Sequence, residues 1–197
     1  MQLKDEMNQY AKENHVPVMK EEGLQLLLNT LMENDCHSFL ELGTAIARTA
    51  IVVASLREDM KVVTIERTPE MIKAARKNIL ESGYANRITL IEGDALEVET
   101  PKGPCDCIFI DAAKAQYQRF FTKYAKVLSP NGIIVSDNMN FHGLVQHPEN
   151  THNRNTKQLV RKIQKYHDFL HSLDSYTTEF YDLGDGVAIT RRKQNEQ

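Results

Sequence analysis

Five short apolar runs alternate with helix-forming segments between Ser38 and Ser136, and this alternation leaves few folds open. The runs are Ser38 to Glu41, Val62 to Glu66, Ile88 to Glu92, Cys107 to Asp111 and Ile133 to Ser136. Helices are expected over Ala45 to Leu56, Thr68 to Glu81 and Ala115 to Leu128. Thr68 reads as an N-cap with Pro69 at the first helical position, and Gly83 stops that helix. Such an order implies a parallel sheet with helices on both faces. Ligands in these sheets bind beyond the carboxyl ends of the strands.

The flanks extend the pattern. Leu3 to Asn14 reads as a helix, and His15-Val16-Pro17-Val18 breaks it. Leu24, Leu27, Leu28 and Leu31 give Glu21 to Glu33 helical spacing. Ser129-Pro130-Asn131-Gly132 reads as a turn, and Met139 to Asn155 as a long polar loop of the kind that often carries function. Lys157 to Leu170 reads as a helix. Tyr176 to Tyr181 and Val187 to Thr190 read as two strands joined at Leu183-Gly184-Asp185-Gly186. The expectation is one domain over residues 1–197, with a helical N-terminal cap over 1–35 and a substrate loop over 139–156.

Several acidic residues should meet on the rim of that sheet. Gly43 follows the first strand, and Glu66 ends the second. Glycine lets the backbone approach a ligand, and a carboxylate there can take both hydroxyls of a ribose. The full three-glycine fingerprint is missing, which argues against a dinucleotide pyrophosphate seat. Asp94 in Gly93-Asp94-Ala95 can cap the next turn or accept from an adenine amino group. Asp111, Asp137 and Asn138 offer hard oxygen ligands suited to Mg²⁺, although Asp-Asn after a strand is also an ordinary turn pair. Lys114 reads either as a surface lysine or as a base whose pKa is lowered by nearby positive charge.

Composition narrows the classes. The net charge is −3, so any nucleic-acid surface must be a local patch. Arg154, Lys157, Arg161 and Lys165, with Lys162 beside them, form one such stripe; it is either a solvated face or a phosphate-binding surface. No apolar run is long enough to span a bilayer, and the polar N-terminus is no signal peptide. Cys36, Cys105 and Cys107 fit a reducing cytoplasm, with Cys105-x-Cys107 read as strand residues rather than half of a metal site. The histidines show no zinc-ligand spacing. His142 and His147 lie in the loop, where they either touch substrate or are solvated.

Together these residues resemble the cation-dependent O-methyltransferase family, which includes the catechol and caffeoyl-coenzyme A enzymes. Glu41-Leu42-Gly43-Thr44-Ala45, Gly93-Asp94-Ala95, Phe109-Ile110-Asp111-Ala112-Ala113-Lys114, Asp137-Asn138 and Gly184-Asp185-Gly186 carry the resemblance. The chain looks most similar to the bacterial tRNA 5-hydroxyuridine methyltransferases. It departs from the family at Ala47-Arg48-Thr49, where members usually carry Gly-Tyr-Ser.

The resemblance implies a Rossmann-like S-adenosylmethionine-dependent methyltransferase fold: a mostly parallel seven-stranded sheet with a C-terminal antiparallel hairpin strand. It implies that Glu41, Gly43, Thr44, Glu66, Asp94, Ala95 and Asp111 serve the cofactor, and that Asp111, Asp137 and Asn138 ligate Mg²⁺. Lys114 and Asp111 are the expected catalytic residues. The expected partner is tRNA, with a catechol-like small molecule as the alternative acceptor. A cytoplasmic homodimer without membrane association is expected.

Overall fold

A computed structural model describes residues 2–141 and 143–193. Helices α1 (Gln2–Glu13) and α2 (Glu21–Glu33) precede strand β1 (Ser38–Leu42). Then come α3 (Arg48–Ala54), β2 (Lys61–Glu66), α4 (Pro69–Glu81), β3 (Ile88–Glu92) and β4 (Cys105–Ile110). The chain ends with α5 (Tyr117–Tyr124), β5 (Leu128–Ser136), α6 (Arg154–His171), β6 (Tyr176–Tyr181) and β7 (Val187–Arg192). The seven strands form one sheet in the order β3-β2-β1-β4-β5-β7-β6. Strands β1 to β5 are parallel, and β7 runs antiparallel between β5 and β6. The sequence order reverses between β1 and β4, and a ligand crevice opens at such a switch point.

Strand alternation divides the core in two. Phe39, Phe109, Ile133 and Val135 face one way and pack with residues of α1 to α4, among them Leu24, Leu27 and Val53. Leu40, Ile108, Ile110 and Ile134 face the other way, against Phe120, Phe121 and Tyr124 of α5 and Tyr166 of α6. Among the described residues no helix is long and apolar enough to cross a membrane. The three cysteines are buried and free. Burial pushes the Cys105 thiol up to about 12, so it packs as a small apolar side chain.

Several element boundaries differ from those expected. Helix α3 starts at Arg48 rather than Ala45, because Ala45 (φ 46°) and Ala47 (φ 65°) are left-handed. The expected helix over Ala115 to Leu128 keeps its α-helical core only over Tyr117–Tyr124, flanked by 3₁₀ turns at Lys114–Gln116 and Ala125–Val127. Helix α6 begins at Arg154, inside the expected loop, because the Asn153 side chain caps it by accepting from the Thr156 N–H at 3.1 Å. The turn at Ser129 to Gly132 is absorbed into β5 as an irregularity. The β4 register steps from Cys105↔Leu128 to Cys107↔Ile133 across it.

Candidate active site

Beyond the carboxyl ends of the parallel strands lies a cavity of about 970 Å³. Gly43, Glu66, Asp94 and Ala95 line one side of it; Asp111, Lys114, Asp137 and Asn138 line the other. The switch between β1 and β4 brings these residues together.

Gly43 has φ 99°, and a Cβ there would stand 2.3 Å from the Asp111 carbonyl oxygen. Any side chain would push the β1 and β4 ends apart, so the crevice needs glycine. The Glu66 carboxylate is fixed by three backbone donors. Ala45 N–H reaches Oε2, and Arg67 and Thr68 N–H reach Oε1, each at 2.9 Å. Asp94 caps the turn and also lies on the cavity wall. Its Oδ1 accepts from Leu96 N–H at 2.8 Å. Its Oδ2 accepts from Arg67 at 2.8 Å. The Leu96 bond first, and then Arg67, hold its pKa below the usual carboxylate value.

Glu41 and Thr44 are not brought to the cavity wall. Both are buried beneath it, at 1 % and 3 % exposure. Glu41 stands opposite Thr64 in the β1–β2 register and accepts from the Thr64 hydroxyl at 2.6 Å. Thr64 in turn meets the Thr44 hydroxyl. Burial pushes the Glu41 pKa up to about 8, with the Glu66 charge adding to it.

At the other side the Asn138 amide donates to Asp111 Oδ1 and Asp137 Oδ2, both at 3.1 Å. Tyr117 OH donates to the Asp137 carbonyl at 3.2 Å. Asn138 has φ 62°, a strained conformation that turns its amide back between the two carboxylates. Burial raises both carboxyl pKa values, that of Asp137 to about 6. For Asp111 the neighbouring Asp137 charge adds to the effect of burial. Lys114 acts on both carboxylates and lies 5.7 Å from the Phe141 ring centroid. It thus stands among carboxylates and a ring.

Four further cavity residues went unassigned in the sequence. Arg48, where an aromatic was expected, is buried. It donates to the Met19 carbonyl at 3.0 Å and to Glu21 at 2.7 Å, binding the segment before α2 to the start of α3. Lys20, from the same segment, pairs with Asp185 at 2.7 Å. Phe141 sits in the loop after Asn138 with φ 45°. Only the Gly-Asp-Gly spacing hinted at Asp185. Gly186 (φ 84°) brings that turn so close to the loop that a Cβ would stand 2.5 Å from Asn140 N. His147 is solvated and pairs with Glu149; His142 lies outside the described residues.

Comparison with known proteins fits this geometry. The O-methyltransferase family model matches residues 2–193. The chain belongs to the O-methyltransferase family. A catechol O-methyltransferase of Niastella koreensis is 33 % identical over 108 residues, covering 52 % of this chain and 49 % of that protein. O-methyltransferase imqG of Aspergillus flavus is 34 % identical over 51 % of this chain and 44 % of its own length. The chain thus spans about half the length of these curated relatives.

Among solved structures, a Staphylococcus aureus protein with the provisional name caffeoyl-CoA O-methyltransferase superposes with a TM-score of 0.93. It is 35 % identical, over 96 % of this chain and 92 % of that one. A Bacillus cereus O-methyltransferase solved in complex with SAH shares the fold, with a TM-score of 0.82 at 22 % identity over 98 % and 91 % of the two chains.

Proposed function

We propose that this protein transfers the methyl group of S-adenosylmethionine, with the help of Mg²⁺, to O5 of 5-hydroxyuridine at the wobble position of tRNA, giving 5-methoxyuridine. The observation that carries the reading is the corner made by Asp111, Asp137 and Asn138. Two carboxylates there, Asp137 buried and Asp111 half-buried, share one amide donor. Among the described residues no group of three or more His, Cys, Asp or Glu side chains is arranged to hold a metal. Two carboxylates and an amide oxygen are a smaller, hard-oxygen set. They fit Mg²⁺, which is commonly held by one or two carboxylates and keeps other positions for water and substrate. A half-turn of the Asn138 amide exchanges its donor for an oxygen ligand. When bound, the ion supplies acidity to a nearby hydroxyl and compensates the two carboxylates.

The chain's own residues do the rest. Glu66 takes the ribose hydroxyls, and Gly43 lets the methionyl part lie against the backbone. Asp94 and Ala95 meet the adenine. Lys114 receives the acceptor proton. The resulting oxygen anion attacks the methyl carbon, and the C–S bond electrons return to sulfur, so the sulfonium becomes a neutral thioether. Charge cancels as the bond forms, and the cavity aligns the two reactants. The vicinal O4 and O5 of 5-hydroxyuracil suit the same corner as the two oxygens of a catechol.

The basic stripe supports RNA as the carrier of the acceptor. Arg154, Arg161, Lys162 and Lys165 are exposed on α6, with Lys157 half-buried beside them. Nucleoside mass spectrometry of tRNA from a deletion strain tests the activity: 5-methoxyuridine should vanish and 5-hydroxyuridine accumulate. Reversing Arg161 and Lys165 to Glu should weaken tRNA binding and lower the log–log salt slope by up to ~0.9 per lost phosphate contact. Equal tRNA methylation by wild type and the double variant across a salt series rejects the stripe. A second reading, a small-molecule catechol-type acceptor, is favoured by the likeness to the Niastella koreensis enzyme. It gains if catechols are methylated and hydroxyuridine-bearing tRNA is not.

A further inference from the structure

The pair Lys20–Asp185 has no part in the chemistry above, yet it stands on the wall of the same cavity. Lys20 immediately precedes α2, and Asp185 tops the β6–β7 hairpin. The hairpin holds Asp185 from both sides: Gly186 N–H donates to the Leu183 carbonyl at 2.9 Å, and Asn140 N–H donates to the Asp185 carbonyl at 2.8 Å. Asp185 is 13 % exposed and Lys20 48 %, so the carboxylate is held in the wall beside a more exposed lysine side chain. Both charges act on Asp137, in opposite directions, which sets the pair beside the metal corner. An acceptor held in the wall next to a more exposed donor is a two-point reader for a polar edge.

The acceptor base has such an edge. Around the ring of 5-hydroxyuracil, O5 and O4 are followed by N3–H and then by O2. We infer that Asp185 and Lys20 read the imide edge of the acceptor, Asp185 accepting the N3–H and Lys20 donating to O2, while O4 and O5 lie at the Asp111–Asp137–Asn138 corner. The inference rests on the uridine acceptor proposed above and gives that acceptor its specificity. A catechol offers only C–H groups at these two points. A cytosine ring turns a lone pair toward the Asp185 carboxylate and is repelled.

The test uses two anticodon stem–loop RNAs, one carrying a single 5-hydroxyuridine and the other its N3-methyl derivative. Wild type should prefer the first by roughly 10- to 150-fold in kcat/KM, the range of a hydrogen bond to a charged group. In Asp185→Ala the ratio should collapse toward unity, an effect a merely structural role would not produce. Where Asp185→Ala is inactive on both RNAs, Asp185→Asn decides. It keeps an oxygen acceptor without the charge, so its ratio should fall between unity and that of wild type.

Equal turnover of the two RNAs by wild type overturns the imide reading and leaves the uridine acceptor standing. A wild-type ratio retained in Asp185→Ala, or in Asp185→Asn where that variant decides, overturns it too. Catechol turnover with neither RNA methylated overturns the uridine acceptor, and this inference with it.

Discussion

The two ends of β4 carry the same residue in opposite circumstances. At its start Asp106 accepts from the N–H groups of His37 and Ser38 and from the hydroxyls of Ser38 and Ser129, at 2.9 to 3.1 Å. Burial pushes its pKa up, and these four donors more than reverse the shift, leaving it below the usual carboxylate value. Just past the strand's other end, Asp111 shares one amide with Asp137 and is held well above that value by burial and its neighbour's charge. A carboxylate that holds a fold together is given donors; one proposed to receive a cation is kept short of them. Glu66 lies between these cases, donor-rich yet in the cavity. Glu41 breaks the rule, with one hydroxyl donor and no place on the cavity wall.

Substitution should separate the two ends of β4. Under the proposed Mg²⁺ role, Asp137→Ala should reduce methyl transfer by roughly 10³-fold or more, since the charge stabilisation a metal supplies is worth several kcal/mol. The thermal midpoint should stay unchanged or rise, because a buried charge has gone. Asp106→Ala should do the reverse. It strands two backbone N–H groups and two hydroxyls, costing about 3 kcal/mol, or roughly 10 °C in Tm, while the folded fraction keeps its activity. Methyl-transfer assays beside thermal unfolding check both. The contrast fails if Asp137→Ala is the variant that melts early.

Glu66→Ala sharpens the intermediate case and should show the next largest effect. Loss of a charge-assisted hydrogen bond, roughly 1.5–3 kcal/mol, should weaken cofactor affinity by about 10- to 150-fold. The rate from the saturated complex should change much less. Calorimetric titration with SAH measures the affinity, and an unchanged value refutes the ribose role.

Glu41→Gln tests the exception. The Glu41 pKa is about 8 in the fold against 4.5 ordinarily, so the native state keeps a proton that the unfolded chain releases. The stability this group contributes is full below about pH 4.5 and is lost as pH rises toward 8. The glutamine variant should flatten that window and gain on the order of 3 kcal/mol at pH 8. Urea unfolding across pH shows it. A wild-type pH profile in the variant would sink the assignment, and a large loss of methyl transfer would make Glu41 part of the site after all.

Much of this was legible in the sequence for a local reason. Strand alternation and helical spacing are set by near neighbours, so β1 to β7 and most helices are readable from composition and period. Glycine after β1 and acids at strand ends point to the rim because a parallel sheet leaves only one edge for ligands. Boundaries fared worse. The left-handed Ala45 and Ala47 delay α3, and the reason is the Glu66 carboxylate drawing the Ala45 N–H toward another strand.

By itself the sequence determined the layered fold, its family pattern and the acids on one rim, since each follows from periodicity or from short motifs. Only the tertiary structure decided which of those acids open to the cavity. Glu66 ends β2, whereas Glu41 lies one residue short of the end of β1, level with Thr64 and two positions deeper on the same face, so it is buried against the Thr64 hydroxyl. Tertiary structure also joined Lys20 to Asp185 and Arg48 to Glu21, pairs brought together by the packing of the N-terminal segment onto the sheet. A charge on a distant segment leaves no periodic trace, because its position depends on the whole fold rather than on its neighbours in the chain.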